Sequence, residues 1–251
     1  MKLIEAKDYH EMSMLAAEII LDQIKSKTDS VLGLATGGTV LGTYQQLILD
    51  HQRNKTSYQH IKTFNLDEYA GLSKQDENSY HAYMKKHFFD EVNIPSSQSF
   101  LPNGEAQDMK AECETYDLKI EELGGIDLQL LGIGQNGHIG FNEPGSSFES
   151  KTHLVALEQS TREANARYFH SIEDVPTHAV TMGIASIMKS KKILLLASGI
   201  QKSSILYDLF HSDVTNSIPA TILINHPDTI IIADQEALSK LHHDERKLFA
   251  K

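Results

Sequence analysis

The chain has 251 residues, 23 of them Lys or Arg and 34 Asp or Glu, which leaves a formal charge of −11 at neutral pH. With 40% hydrophobic and 23% charged residues it has ordinary globular composition and length enough for a large core, which excludes disordered and low-complexity classes. The acidic balance argues against nucleic acid or an anionic membrane as partner, yet local cations can still receive a small anion.

In chain order, a strand at 2–5 leads to a helix at 9–27 behind an Asp8 N-cap, and a strand at 31–34 leads to a helix at 40–50. A strand at 61–65 precedes helices at 79–89 and 109–123. Strands at 128–131 and 152–156, a helix at 162–169, a strand at 193–197, a helix at 201–210 and a strand at 229–233 follow. Several of these strands are apolar throughout, as parallel strands covered on both faces are. The alternation predicts one α/β domain over 1–251, doubly wound and Rossmann-like, with a mostly parallel sheet and helices on both faces. Ligands in such sheets bind at the carboxyl ends of the strands, so those ends carry the search for function.

No apolar run approaches the ~18 residues of a membrane span, and charge interrupts the N-terminus too early for a signal peptide. One cysteine, Cys113, excludes an internal disulfide framework and fits a reducing compartment, so a cytoplasmic protein is expected. Cys113 lies on a helix and reads as a packed residue. The histidines lack metal-ligand spacing, and no metal is expected.

After the strand at 31–34 come Thr36, Gly37, Gly38 and Thr39, leading into a helix. Glycines allow a tight turn, and hydroxyls and free N–H groups at a helix start favour an anion. No Lys stands at the P-loop position, which excludes a nucleoside-triphosphate loop. After 61–65 come Asp67 and Glu68, an acidic pair able to supply a general base. After 128–131, Gly132, Gly134 and Gly137 match a dinucleotide-binding spacing, but Gly140, Pro144 and Gly145 deny that motif the helix its mechanism needs. The same loop offers Asn136, His138 and Glu143, where an imidazole suited to proton transfer has a carboxylate nearby. Arg167, late in the 162–169 helix, and Lys202, opening the 201–210 helix, are cations fit for phosphate, although sequence alone does not bring them to Thr36–Thr39.

Leu34-Ala-Thr-Gly-Gly-Thr39, Phe64-Asn-Leu-Asp-Glu-Tyr69 and Gly132-Ile-Gly-Gln-Asn-Gly-His-Ile-Gly-Phe-Asn-Glu-Pro144, with Asn165-Ala-Arg167 and Gly199-Ile-Gln-Lys202, resemble the glucosamine-6-phosphate deaminase family in order and spacing. The resemblance implies conversion of D-glucosamine 6-phosphate and water to D-fructose 6-phosphate and ammonia, with no cofactor. It implies Asp67 as the base between C2 and C1, His138 as the ring-opening acid/base assisted by Asn136 and Glu143, and Thr36, Gly37, Gly38, Thr39, Arg167 and Lys202 as the phosphate site.

Two departures from the family pattern stand out. Asn136 replaces a common Asp, so it is expected to orient His138 and select its tautomer without lending charge. His153 and Val155 stand where activated members carry cations beyond serines like Ser146 and Ser147. Hyperbolic kinetics without N-acetylglucosamine 6-phosphate activation, and a monomer or small homo-oligomer, are therefore expected. The charged tail at 242–247 reads as a solvated helix end.

A 6-phosphogluconolactonase-type hydrolase would share the fold and the His loop. Asp67-Glu68-Tyr69 and the Phe-Asn-Glu-Pro run after His138 favour the deaminase instead. A non-catalytic sugar-phosphate sensor would have no use for Asp67, His138 and Glu143 together.

Overall fold

The computed structural model describes residues 1–249. The chain runs β1 (Lys2–Ala6), α1 (Tyr9–Ser26), β2 (Val31–Leu34), α2 (Leu41–Asn54), β3 (Lys62–Asn65), β4 (Asp67–Tyr69), α3 (Tyr80–His87), β5 (Ser99–Phe100) and α4 (Met109–Glu122). It continues with β6 (Leu128–Gly132), β7 (His153–Ala156), α5 (Gln159–Asn165), β8 (His178–Thr181), α6 (Ile184–Met188), β9 (Ile193–Ala197), α7 (Ser203–His211), β10 (Thr229–Asp234) and α8 (His243–Phe249). None of the described helices is long and apolar enough to cross a membrane.

Seven strands form a parallel sheet in the order β1-β10-β9-β6-β2-β3-β5. All residues of β2 and β9 are buried, the burial expected where helices cover both faces. Each fully buried Leu or Ile there contributes about 1.5–3 kcal/mol. Gln129 of β6 lies across β2 at Gly33, where an added Cβ would sit 2.0 Å from its Oε1, so any larger residue there would displace the Gln129 amide. Asp8 caps α1 by accepting the Glu11 N–H at 2.9 Å, and a stripe through Met12, Ala16, Ile20 and Ile24 turns that helix to the core.

From β2 the chain proceeds outward through β3 to β5, then returns to the other side of β2 with β6 and proceeds outward through β9 to β10. The order reverses between β2 and β6, and a crevice opens there at the carboxyl edge.

The strand predicted at 152–156 does not join this sheet. As β7 it pairs with β8, and β8 with β4, in a separate antiparallel sheet of order β4-β8-β7. Its half-exposed, alternating burial suits an antiparallel strand with one solvated face. Leu66 is the pivot between the sheets: its N–H donates to the Leu34 carbonyl at 3.1 Å, and its carbonyl accepts from Met182 N at 2.6 Å. The next residue, Asp67, is thereby transferred from the main sheet to the small one, opposite Thr181.

Other predicted bounds shift as well. The helix predicted at 162–169 occupies Gln159–Asn165, so Arg167 stands on the 3-10 turn Ala166–Tyr168. Lys202 closes another such turn, Ile200–Lys202, before α7. The tail at 242–247 is not merely solvated. In α8, Arg246 pairs with Glu5 at 2.8 Å and Phe249 packs on Phe210, docking the helix on the β1 edge.

Candidate active site

Four successive strands of the sheet, β9, β6, β2 and β3, each release a loop at the carboxyl edge, and the loops converge on one cavity of about 870 Å³. Its lining includes Thr36, Gly37, Gly38 and Thr39 after β2, Asp67 after β3, Asn136 and His138 after β6, and Lys202 after β9. Arg167 joins them from the excursion between β7 and β8. Of the residues that the resemblance assigns to the site, all lie on this wall except Glu143, which stands behind His138; Glu68, the other half of the acidic pair, is not on it either.

Asp67 is buried, and its carboxylate meets no hydrogen-bond donor among the described residues. Burial, then repulsion from Glu68, pushes its pKa up to about 8. The acidic pair divides its work, because successive strand residues face opposite sides. Glu68 points away from the cavity and accepts the Tyr69 and Tyr80 N–H groups at 2.9 Å, the His81 N–H at 3.0 Å and His81 Nδ1 at 2.9 Å. It secures the start of α3 and so sets Tyr80 in the cavity wall beside Asp67.

Around His138, Glu143 Oε2 lies 3.2 Å from Nδ1 and accepts the Asn136 side-chain amide at 2.6 Å. Its other oxygen accepts the Thr161 hydroxyl. Burial opposes ionisation of Glu143, but the hydrogen bonds from His138, Thr161 and Asn136 outweigh it and hold the carboxyl below its ordinary range. Asn136 makes no hydrogen bond to the imidazole among the described residues: its Oδ1 accepts the His138 backbone N–H at 3.2 Å. The ring contact expected of Asn136 thus belongs to Glu143, which directs Nδ1 away and leaves Nε2 for the cavity. Gly134 makes room for the ring, since a Cβ there would lie 2.4 Å from the imidazole.

At the other end of the cavity, Lys202 has its pKa lowered by burial and then by the Arg167 charge. Two neighbouring cations beside two glycines and two threonines make a recess whose chemistry suits a multiply charged anion. The turn before Lys202 is fixed from β10, where Asp234 accepts the Ser198 hydroxyl and the Gly199 N–H.

Sequence reasoning did not single out Tyr80, Thr161 or Asp234. Asp234 closes a strand at the same sheet edge, a signal that could have drawn notice. Tyr80 and Thr161 reach the site only through tertiary packing. Between β6 and β7 no helix forms, so the three spaced glycines have no helix dipole to offer a pyrophosphate.

A buried carboxyl, a carboxylate-backed imidazole and two cations lining one cavity at the switch point of a parallel sheet are the arrangement of an α/β acid–base enzyme. Residues 6–231 match the family described as Glucosamine-6-phosphate isomerases/6-phosphogluconolactonase, and the chain belongs to that family. It is 59% identical to a glucosamine-6-phosphate deaminase of Geobacillus sp. (strain WCH70), covering 100% of both chains. It is 53% identical to glucosamine-6-phosphate deaminase 1 of Bacillus subtilis (strain 168), covering 95% of this chain and 99% of the other. A solved monomeric glucosamine-6-phosphate deaminase superposes with TM-score 0.94 at 53% identity over 96% of this chain and 100% of that one. The 6-phosphogluconolactonase of Trypanosoma cruzi, at TM-score 0.77 and 19% identity over 96% of each chain, shares the fold.

Proposed function

We propose that this chain converts D-glucosamine 6-phosphate and water to D-fructose 6-phosphate and ammonia, as one catalytic unit in the cytoplasm, without a cofactor and as a monomer or small homo-oligomer. The observation that carries the reading is the joint lining of one cavity by an acid–base end, Asp67 and His138, and a cationic end, Arg167 and Lys202. The full-length relatives named as glucosamine-6-phosphate deaminases support it.

The phosphate lies against Thr36–Thr39, Arg167 and Lys202, so binding energy remote from the reacting carbons orients C1 and C2. His138 Nε2 takes the proton of the anomeric hydroxyl and returns one to the ring oxygen, opening the pyranose; ionised Glu143 stabilises the imidazolium between the two transfers. Asp67 removes the C2 proton while the substrate's ammonium gives one to the carbonyl oxygen O1, which yields the enolamine, and Asp67 returns its proton to C1 to leave an iminium at C2. Water adds to that iminium, its proton passes to the amine, and the C2–N bond breaks to release ammonia and the ketone. Asn136 and Thr161 hold Glu143 in place.

The test is a coupled assay for fructose 6-phosphate and ammonia from glucosamine 6-phosphate. Wild type should release both in equal amounts, and Asp67→Asn and His138→Gln should each lose about 10²–10⁴-fold in rate while still binding a sugar phosphate. Hydrolysis of 6-phosphogluconolactone with the amino sugar untouched would move the function to the hydrolase.

A further inference from the structure

The loop after β2 turns through two glycines with open space where side chains would stand. Added Cβ atoms at Gly37 and Gly38 would find no atom within 4 Å, and Gly37 has φ +97°. Side-chain bulk therefore does not fix the orientation of these peptide planes. Two phenols do. Tyr83, on α3, donates its hydroxyl hydrogen to the Gly37 carbonyl at 2.8 Å. Tyr9, at the start of α1, donates to the Gly38 carbonyl at 2.9 Å, and its own phenolic oxygen accepts the Gly42 N–H at 2.8 Å.

In a trans peptide the C=O and the following N–H point in opposite directions. Drawing the Gly37 and Gly38 carbonyls to the phenols turns the Gly38 and Thr39 N–H groups the other way. Neither N–H meets a protein acceptor among the described residues, and both residues line the cavity. Tyr9 also borders the cavity, but its one hydroxyl hydrogen is spent on Gly38, so it has none to give a ligand.

We infer that Tyr9 and Tyr83 are positioning residues that lock the Gly37–Gly38 and Gly38–Thr39 peptides with their N–H groups turned into the cavity, preorganised for the phosphate of the substrate. This rests on the reading, given above, that the phosphate occupies the loop. An unheld diglycine turn would spend binding energy on choosing one peptide orientation among several, and two neutral hydrogen bonds remove that choice in advance.

Tyr9→Phe, Tyr83→Phe and the double variant each delete only hydroxyl oxygen. Each single variant should raise both the KM for glucosamine 6-phosphate and the inhibition constant of inorganic phosphate about 3- to 10-fold, and the double variant more. The kcat should stay within about 2-fold and the pH profile should not move, because the acid–base groups stand on other loops. Arg167→Gln and Lys202→Gln are measured beside them. If those two weaken phosphate inhibition and the tyrosine variants do not, the inference on the tyrosines falls while the phosphate site stands. If Arg167→Gln and Lys202→Gln leave it unchanged, both fall. A lowered melting temperature in the tyrosine variants with KM and phosphate inhibition unchanged means a merely structural role and also overturns the inference.

Discussion

Asp67 binds its proton more tightly than a carboxylate in water, because it is buried beside the charge of Glu68. Its base form is gained as pH rises through about 8, so kcat/KM should fall on the acid side with an apparent pKa near that value. A profile without that limb would remove Asp67 from the role of base. The same shift acts on stability with a definite sign. Between the ordinary 3.8 and about 8, the folded state holds a proton that the unfolded chain releases, so this group's contribution is full at acid pH and lost as pH climbs. Asp67→Asn should therefore melt above wild type at alkaline pH while being inactive. Glu143 has the opposite sign, its carboxyl held low, and Thr161 is one of the groups that hold it. Thr161→Val should cut kcat by about 10-fold, most severely as pH falls, and Thr161→Ser should restore it. Equal losses in Val and Ser variants would show that the hydroxyl is not what matters. Asn136→Ala should likewise lower activity through Glu143; full activity at every pH would end its orienting role.

The loops carry what the sequence made visible. Asp67 and the His138 loop could be read because each follows an apolar run that only a strand explains. The small sheet could be read only in part: β7 answers to the strand expected at 152–156, but β4 and β8 have three and four residues and leave no run as long as those of β6 or β9, so nothing in the sequence separates β7 from the main sheet. Arg167 and Lys202 could be named as candidate cations but not joined, because α5 and the β9 loop meet only across the crevice. The tyrosine contacts lie further from local pattern still, reaching across 29 and 46 residues to carbonyls that any residue would present. At this scale Gly134→Ala is the informative change. Its Cβ would displace the imidazole while β6 itself stays intact, so activity should fall at least about 100-fold with little change in far-UV circular dichroism. Near wild-type activity would mean that the ring need not stand where it does.

For the whole molecule, the expected absence of activator charge partners bears on kinetics. His153 Nδ1 is paired with the Lys151 carbonyl at 2.8 Å, and Val155 packs against the small core around Tyr69 and Phe141. Rate curves should be hyperbolic and indifferent to N-acetylglucosamine 6-phosphate, and gel filtration with light scattering should give a monomer or small oligomer. A sigmoidal curve made hyperbolic by that compound would overturn both expectations.

The fold holds Arg167 near enough to Lys202 to disfavour the lysine's charge, adding to the effect of burial, and it does so with elements from opposite sides of the crevice, α5 with its following turn and the β9 loop. Like charges brought together by folding are a place where the native state resists itself. An anion seated between them would relieve that resistance, so on the proposed reading a phosphorylated sugar, and even phosphate in the buffer, should act on this chain as a chemical chaperone. Protection from heat and protease should grow with phosphate concentration, and Lys202→Gln should be sturdier than wild type without phosphate while gaining less from it.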